Sequence, residues 1–429
     1  MEKKQNSNVL AIIVMILLFG MISFVTNLAS PMGDILKNQF TVPNWMGTLG
    51  VLMNFIAYAF MGIPAGNMLQ KYGYKKTALV AVTVGFVGVG IQTISGLLMG
   101  MTAFGVYLLG AFVAGFSMCM LNIVVNPMLN KLAGGGNRGN QLLQLGGSFN
   151  SLMGTAVIAL VGILIPSMVK ASISDVYPLM FTALAIFALA FVVILFTKIP
   201  ENENVGKVTK DNSKIGPMSF RHFVLGAIGI FIYVGVEVGI PNVLQKWLQN
   251  GGLSVETGAE GIAATVAATY WLLMLVGRLT GAALGAKVSA KTMLSAVSIV
   301  GLCLVLGAML LDPATTVNLP VFKGSAGFGM ENVPINAALL VLCGLCTSVM
   351  WGGIFNLAVE GLGKYTEKAS GIFMALVCGG GILPLLQNFV VDLSGDYLVS
   401  YWVIVAGLAY LLFYALVGSK NVNKDIKVE

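Results

Sequence analysis

Long apolar runs recur along the whole 429-residue chain, and they constrain its fold more than any other feature. Each is about 20 residues, the length a helix needs to cross the ~30 Å hydrocarbon layer of a bilayer. Such runs must be helical there, because every backbone polar group has to be satisfied inside the segment. The sequence therefore predicts an all-α membrane protein with twelve transmembrane helices. The runs lie near 9–30, 46–70, 77–99, 103–128, 141–166, 176–198, 218–247, 261–286, 292–311, 335–359, 371–391 and 399–418.

Composition supports a membrane protein over a soluble one. Charged residues make up 10% of the chain, apolar residues 57%, and the mean hydropathy is +0.89. An ordinary soluble domain has ~25% charged residues. The net charge of +7 does not indicate nucleic acid, because the lysines follow the topology. We expect the bilayer as a partner, and we read the five cysteines, all in apolar runs, as small buried hydrophobes.

The placement of lysine and arginine predicts the orientation. With the N-terminus in the cytoplasm, 19 of the 24 basic residues fall in cytoplasmic segments and Arg278 lies inside a span. Both termini are therefore predicted to be cytoplasmic, in the plasma membrane, which we expect to be a bacterial inner membrane. The four basic residues on the outer side are Lys37, Lys170, Lys246 and Lys323.

The chain divides into two similar halves. The polar stretch 199–217 separates an N-terminal six-helix bundle, 1–198, from a C-terminal one, 218–429. The loop Gly66–Lys76 is repeated at Gly281–Lys291, and 281 minus 66 is an offset of 215, half the chain. Carriers that work by alternating access are built from such repeats, with the substrate site near mid-membrane between them.

One outer loop is unusually long. Residues 312–334 connect the ninth and tenth runs and are rich in glycine and proline. A loop of this size can be a functional lid or a passive connection. We interpret it as a linker.

Glu237 is the strongest single candidate for function. It lies about halfway along the run 218–247, and Pro241, four residues later, cannot donate to its carbonyl. A charge at mid-bilayer costs ~3 kcal/mol, so an ionisable residue there is a functional hypothesis by default. The alternative is a buried acid that only locks helices together. Asn27 and Pro31 repeat the spacing in the first run, which predicts that the two helices face one site.

The runs also contain many uncharged polar side chains. Asn and Gln both donate and accept hydrogen bonds, which suits sugar hydroxyls, and a Trp or Tyr face can cover the C–H face of a sugar. The alternative is that they only hold helices together, at ~0.6–2 kcal/mol each. As a set they favour a polar cavity for a small neutral sugar. The predicted substrate-binding residues are Asn27, Asn122, Gln144, Asn150, Tyr233, Glu237, Tyr270, Trp351, Asn356 and Gln387.

The residue inventory argues against an enzyme. The single histidine, His222, begins the seventh run, and no nucleophile–base pair or metal-ligand cluster is visible. Gly134–Gly139 matches GxGxxG only formally, because no strand precedes it. No P-loop is present, so we expect neither ATP nor any cofactor or metal beyond a coupling cation, H⁺ or Na⁺.

Several motifs resemble those of the major facilitator superfamily, and more specifically its fucose/galactose/glucose symporter family. Gly66, Gly73, Lys75 and Lys76 fit the superfamily's cytoplasmic loop, although Gln70 stands where an Asp is usual. The resemblance implies a twelve-helix carrier for a neutral monosaccharide, driven by a cation gradient. The motifs of the narrower family are Gly277–Gly281, Ile63–Gly66, Asn126-Pro127, Phe149–Ser151, Tyr233–Gly235, Ile354–Gly363 and Gly379–Gln387.

The sequence departs from that family at its membrane acids. The family's Asp in the first run aligns with Ser30, its Glu in the fourth with Asn122, and its Gln before Phe-Asn-Ser with Gly147. Proton handling by those acids therefore does not carry over. Glu237 falls where the glucose/galactose branch carries Glu, and Asp34 is a possible substitute in the first run.

Together these observations predict a secondary active transporter, working as a monomer, that imports a glucose- or galactose-like hexose with H⁺ or Na⁺. Glu237 is the predicted coupling residue, and Asn27 and Asn122 are the predicted additional ion ligands. The alternative is an uncoupled facilitator or an exporter of small polar compounds. The fifth run lacks the Gly/Pro-rich antiporter motif typical of exporters in the superfamily, which disfavours the exporter.

Overall fold

In the computed structural model most of the chain is helical, as the apolar runs predict. The structure describes residues 2–42, 46, 49–164, 171–201, 216–253, 259–285, 287–323, 327–423 and 426. The first part of the chain forms α1 (Glu2–Phe40), α2 (Leu49–Ser95), α3 (Gly100–Ala133), α4 (Gly136–Leu164) and α5 (Tyr177–Phe196). The second part forms α6 (Arg221–Trp247), α7 (Ala259–Gly285), α8 (Ala290–Leu310), α9 (Ile335–Thr347), α10 (Met350–Val359), α11 (Thr366–Ala375), α12 (Gly379–Ser394) and α13 (Trp402–Phe413).

Every predicted run falls on a helix or on consecutive helices. Ten helical stretches of the described residues are long and apolar enough to cross a membrane. The 47 residues of α2 would extend ~70 Å at 1.5 Å per residue, which is more than twice the ~30 Å thickness of the hydrocarbon layer. This helix therefore covers two predicted runs. Helix α4 covers the fifth run. The count of twelve spans and the division at 199–217 stay predictions, since 202–215 lie outside the described residues.

Gly73 breaks α2 between its two runs. Its φ is 80°, in the left-handed region that favours glycine. Just beyond it, the Glu201 carboxylate accepts hydrogen bonds from the backbone N–H groups of Tyr74 (2.7 Å) and Lys75 (2.8 Å). The Lys75 ammonium donates to the carbonyl of Leu195 (2.8 Å) near the end of α5. The loop that resembles the superfamily motif is therefore tied to the end of the N-terminal half.

The outer loop is folded. It forms an antiparallel hairpin of β1 (Thr316–Phe322) and β2 (Phe328–Pro334), with Thr316 opposite Pro334. Val321 is completely buried, and the backbone N–H of Phe322 donates to Thr269 Oγ1 of α7 (2.9 Å). The loop interpreted as a linker is thus a hairpin packed on α7, an addition to the helical fold, and its role stays a prediction. Alternating apolar residues, a strand pattern, were the missed signal.

Large apolar side chains lie on both the inside and the outside of the helical bundle. Phe187 is 1% exposed, whereas Phe196 at the end of the same helix is 80% exposed. Soluble monomers rarely expose contiguous apolar surface on this scale. The pattern is that of helices that pack on one side and face lipid on the other.

Candidate functional site

The centre of the protein contains a buried ion pair. The Arg278 guanidinium on α7 donates through Nη2 to Glu237 Oε1 on α6 over 3.0 Å. The side chains are only 9% and 12% exposed, respectively. A buried pair offsets its desolvation cost only if the remaining donors also find partners. The other contacts of Arg278 therefore decide what this pair can do.

The opposite side of the guanidinium reaches the N-terminal half. Arg278 Nη1 donates to the Gly147 carbonyl (2.9 Å), to Asn150 Oδ1 (3.2 Å) and to Ser151 Oγ (2.8 Å), all on α4. Its Nε donates to the Ser348 carbonyl (3.3 Å), between α9 and α10. One side chain thus connects α4 of the N-terminal half with three segments of the C-terminal half.

Gly147 provides the space for this contact. A Cβ at that position would lie 3.2 Å from Arg278 Cδ and 3.4 Å from its Nε, closer than most carbon atoms approach. The arginine therefore lies along bare backbone. This is the position where the resemblance would have placed a glutamine, so the departure from the family pattern coincides with the contact between the halves.

Pro241 has the predicted effect on Glu237. The freed Glu237 carbonyl accepts a hydrogen bond from the Tyr270 hydroxyl of α7 (3.2 Å), and that hydroxyl also contacts Thr347 Oγ1 (2.9 Å). The oxygen released by the proline is therefore bound by a tyrosine. Tyr270 holds the backbone of α6 at the same residue whose side chain pairs with Arg278.

Tyr233 lies next to the ion pair, one helical turn before Glu237. It is completely buried, and its hydroxyl interacts with the Glu237 carboxylate and the Arg278 guanidinium. Its ring centroid is 6.3 Å from that of Trp351, which is 6.3 Å from Phe373. An aromatic wall therefore adjoins the charged centre.

Gln387 on α12 is a buried polar group without a hydrogen-bond partner among the described residues. It is completely buried, and neither its amide nitrogen nor its amide oxygen makes a hydrogen bond to any described residue. It packs against Gly239 of α6, where a larger residue would collide with the amide. An unsatisfied buried polar group costs roughly 1–3 kcal/mol, so this amide is suited to receive a polar ligand.

The two amides predicted as ion ligands, Asn27 and Asn122, are bonded within the N-terminal half. Asn122 Nδ2 donates to the Tyr58 hydroxyl (3.0 Å) and to the Met118 carbonyl (3.1 Å). Asn27 Nδ2 donates to the Ser23 carbonyl (2.9 Å) and to its hydroxyl (2.9 Å). None of the described hydrogen bonds joins Asn27 or Asn122 to Glu237, and their role as ion ligands stays a prediction.

Further hydrogen bonds connect the two halves on the side predicted to be cytoplasmic. Three predicted substrate-binding residues, Gln144, Trp351 and Asn356, take part in them. These side chains close that side in the conformation seen here. The contacts are Trp351 Nε1 to Asn126 Oδ1 (2.9 Å), Gln144 Nε2 to the Val349 carbonyl (2.9 Å), Asn130 Nδ2 to Asn356 Oδ1 (3.2 Å) and Asn356 Nδ2 to the Gly136 carbonyl (3.3 Å).

Glycines allow the halves to touch backbone to backbone on the same side. A Cβ on Gly62 of α2 would lie 2.5 Å from the backbone nitrogen of Ala375 on α11. A Cβ on Gly371 of α11 would lie 2.8 Å from the Gly62 carbonyl. Close approach of this kind is the usual role of small residues between membrane helices.

Comparison with known proteins identifies the family. The sequence profile of the Major Facilitator Superfamily matches residues 10–385, most of the chain. The chain belongs to the Major Facilitator Superfamily. The predicted fold class and the predicted superfamily are thereby confirmed, and the chain is a multi-pass membrane transporter of that superfamily.

Individual members of the superfamily resemble this chain over nearly its whole length. A glucose/galactose transporter of Brucella abortus (strain 9-941) is 30% identical over 94% of this chain and 93% of its own. The L-fucose-proton symporter of Escherichia coli (strain K12) is 23% identical over 87% and 86%. A crystal structure of the transporter FucP in the outward conformation has a TM-score of 0.78 at 20% identity, covering 97% of this chain and 100% of FucP.

In this member of the superfamily, the structure gathers part of the predicted site. Glu237 and Asn150 hydrogen-bond to Arg278, Tyr233 lies beside the pair and Tyr270 binds the Glu237 carbonyl, whereas Asn27 and Asn122 bond elsewhere. Sequence reasoning did not include Arg278 in the site. The signal was available, because an arginine inside a predicted span is a functional candidate on the same grounds as Glu237.

Proposed function

We propose that this protein is a secondary active transporter that imports a neutral monosaccharide, a glucose- or galactose-like hexose, coupled to a cation. The observation that carries the proposal is the buried Glu237–Arg278 pair at the contact between the two halves. The Glu237 carboxylate needs a positive partner whether the carrier is open to the outside or to the inside. A cation that binds it more tightly in one of these two states shifts the equilibrium between them. The name of the relative from Brucella abortus supports the hexose.

The surroundings of the pair suit a sugar. The amide of Gln387 makes no hydrogen bond to any described residue and is completely buried, and the buried Tyr233 lies beside the ion pair. An amide donates and accepts, as a sugar hydroxyl does, and aromatic faces such as Trp351 cover sugar C–H groups. The unsatisfied amide lies on α12, and the aromatic wall of Tyr233, Trp351 and Phe373 lies on α6, α10 and α11. These helices are the proposed sugar-binding surface.

Among cations, the surroundings of Glu237 favour H⁺ over Na⁺. One carboxylate oxygen already faces the Arg278 guanidinium, and the Glu237 carbonyl is bound by Tyr270. A sodium ion at this carboxylate would lie next to a fixed positive charge and would need several oxygen ligands. A proton needs only the carboxylate. We therefore propose that Glu237 is the proton-binding residue.

Reconstitution into liposomes tests this function. Glu237→Gln keeps the shape and an acceptor oxygen but cannot change charge, so it should abolish uptake driven by a proton gradient while sugar exchange across the membrane continues. The matched control is Glu331→Gln, which removes the carboxylate partner of Lys323 in the outer hairpin. Normal uphill uptake by Glu237→Gln would refute coupling through Glu237. Wild-type uptake that ignores pH and sodium gradients would instead favour an uncoupled facilitator.

Three further predictions remain part of the proposal. We expect the protein in the bacterial inner membrane, with both termini in the cytoplasm and acting as a monomer. The bias of basic residues toward one side of the spans supports the orientation. Protease protection of tagged termini in sealed vesicles measures it directly.

A further inference from the structure

We propose that Arg278 is a positioning residue that latches the two halves together on the side closed in this structure, and that the charge of Glu237 controls the latch. The role of this latch in cation-coupled transport rests on the proposed function. In the deprotonated state Glu237 keeps the buried guanidinium neutralised, and the latch stays closed. When Glu237 is neutralised, the closed arrangement loses its counter-charge and the closed side opens.

The geometry of the guanidinium separates two tasks. Arg278 Nη2 is directed to Glu237, which belongs to the same half of the chain, and Nη1 is directed to three oxygens of the other half. A guanidinium is planar and always charged, with donors fixed on opposite edges. It therefore holds an ion partner on one edge and the opposite half on the other edge at the same time.

The bond from Arg278 to Glu237 and the bonds from Arg278 to α4 respond differently when the two halves separate. Glu237 on α6 and Arg278 on α7 lie in the same half, so rocking of one half against the other can leave this pair intact. The bonds to Gly147, Asn150 and Ser151 run to α4, so they must break. Opening on this side thus breaks the hydrogen bonds from Arg278 to α4 but not the Glu237–Arg278 ion pair.

The N-terminal half offers Arg278 only uncharged acceptors. They are a backbone carbonyl, an amide oxygen and a hydroxyl. Neutralising Glu237 consequently leaves a buried positive charge with no described anion in contact. An uncompensated buried charge strongly destabilises the arrangement that buries it. The arrangement in which Arg278 reaches water becomes favoured, and water reaches it when the halves separate.

The groups that face the Glu237 carboxylate come from its own helix and from one neighbour. Arg278 is the charged partner, and Tyr233 and Tyr270 are the titratable side chains that interact with it electrostatically. Both tyrosines are completely buried. Their hydroxyls are neutral hydrogen-bonding groups, so the only charge that balances Arg278 in this cluster is that of Glu237.

A buried side chain beside the latch provides the readout. Asn140 on α4 is 1% exposed and lies against Met293 of α8 and Gly352 of α10, in the other half. A cysteine at this position would react with a maleimide only when the halves separate there. Cys303 is the exposed cysteine of the five and is replaced by serine in all variants. The same variants made without Asn140→Cys measure the background labelling of the buried cysteines.

The experiment compares maleimide labelling rates of purified protein in nanodiscs at one pH. Glu237→Gln should raise the rate at Asn140→Cys at least tenfold, since the closed state loses its charge balance. Ser151→Ala removes one bond to the guanidinium and leaves both charges, and it should produce a clear but smaller increase of the rate, up to about tenfold. Glu331→Gln, the control pair in the hairpin, should leave the rate unchanged.

A transferred charge gives the sharpest test. Glu237→Gln combined with Ser151→Asp moves the carboxylate from the half that contains Arg278 to the half across from it. The ion pair then joins the two halves, and the labelling rate should fall back to or below that of the parent. If the double variant labels as fast as Glu237→Gln alone, the charge-controlled latch is refuted.

The remaining outcomes also decide the matter. An unchanged labelling rate in both Glu237→Gln and Ser151→Ala refutes the latch, and if Glu237→Gln does not give monodisperse protein, Ser151→Ala decides alone. The readout requires neither sugar nor a gradient. Faster labelling without any hexose uptake by the wild type would therefore overturn the proposed substrate and uphold the latch.

Discussion

The protein contains two carboxylate–cation pairs among its described residues, and they differ in every respect that matters for function. The Glu237–Arg278 side chains are 12% and 9% exposed, whereas those of Glu331 and Lys323 are 21% and 33% exposed. The first pair joins two helices and reaches the other half of the chain. The second joins neighbouring strands of one hairpin.

This difference shows what burial adds to a pair of charges. At the hairpin, water screens both groups, and such pairs contribute about 0–1 kcal/mol. At the centre, removal of one partner leaves a charge that neither water nor another described ion compensates. Only the central pair can therefore convert a change of protonation into a change of conformation.

Replacement of Arg278 by methionine should have the largest effect on stability. It leaves the Glu237 carboxylate buried without its cation and removes the bonds to α4, and loss of one member of a buried pair costs about 3–5 kcal/mol. Thermal unfolding in detergent at neutral pH measures the change. A melting temperature equal to that of the wild type would show that the pair is not desolvated as the structure indicates.

Tyr270→Phe should have the next largest effect. It removes the hydroxyl that binds the Glu237 carbonyl and Thr347 Oγ1, leaving a buried carbonyl without that donor, at a cost of about 1–3 kcal/mol. The same unfolding measurement checks it. The control is Thr269→Val. Thr269 lies on the same helix but hydrogen-bonds to the hairpin, so this variant should leave gradient-driven uptake unaffected.

Gly147→Ala should follow. The added methyl group would lie 3.2 Å from Arg278 Cδ, so the guanidinium must shift away from α4, and overpacking of this kind costs about 1 kcal/mol or somewhat more. Gly105→Ala is the matched control, because a Cβ there meets nothing within 4 Å. Equal melting temperatures for the two variants would argue against close contact between Arg278 and α4.

Lys323→Gln should have the smallest effect. The pair with Glu331 is partly exposed, so its loss should change the free energy of unfolding by less than about 1 kcal/mol. Uptake should stay normal. A large loss of uptake would mean that the hairpin takes part in the transport cycle, and the comparison between the two pairs would need revision.

The sequence predicted the scaffold well because apolar length and proline act locally. Each apolar run became helix, and Pro241 left the Glu237 carbonyl for another donor, as its missing N–H requires. The hairpin was not predicted, because the glycines and prolines of 312–334 favour a loop and the alternation of Val317, Leu319 and Val321 is short. Short strands produce a weaker pattern than helices of twenty residues.

The candidate site was only partly predictable. Polar residues inside apolar runs identified Glu237 and the amides, but not which of them meet. Asn122 bonds to Tyr58 on a neighbouring helix of its own half, whereas Trp351 bonds to Asn126 across the two halves. Nothing in the local sequence distinguishes these two situations, because both depend on how helices are placed side by side.

The sequence by itself determined the class of protein, its membership of a superfamily and the position of a carboxylate in the middle of an apolar helix. These properties depend on hydrophobicity and on motifs, which are local. Only the tertiary structure decided that Arg278 is the partner of Glu237 and that its other edge reaches Gly147, Asn150 and Ser151. Residues more than 120 positions apart meet there because helix packing, and not sequence distance, sets which charges share one low-dielectric site.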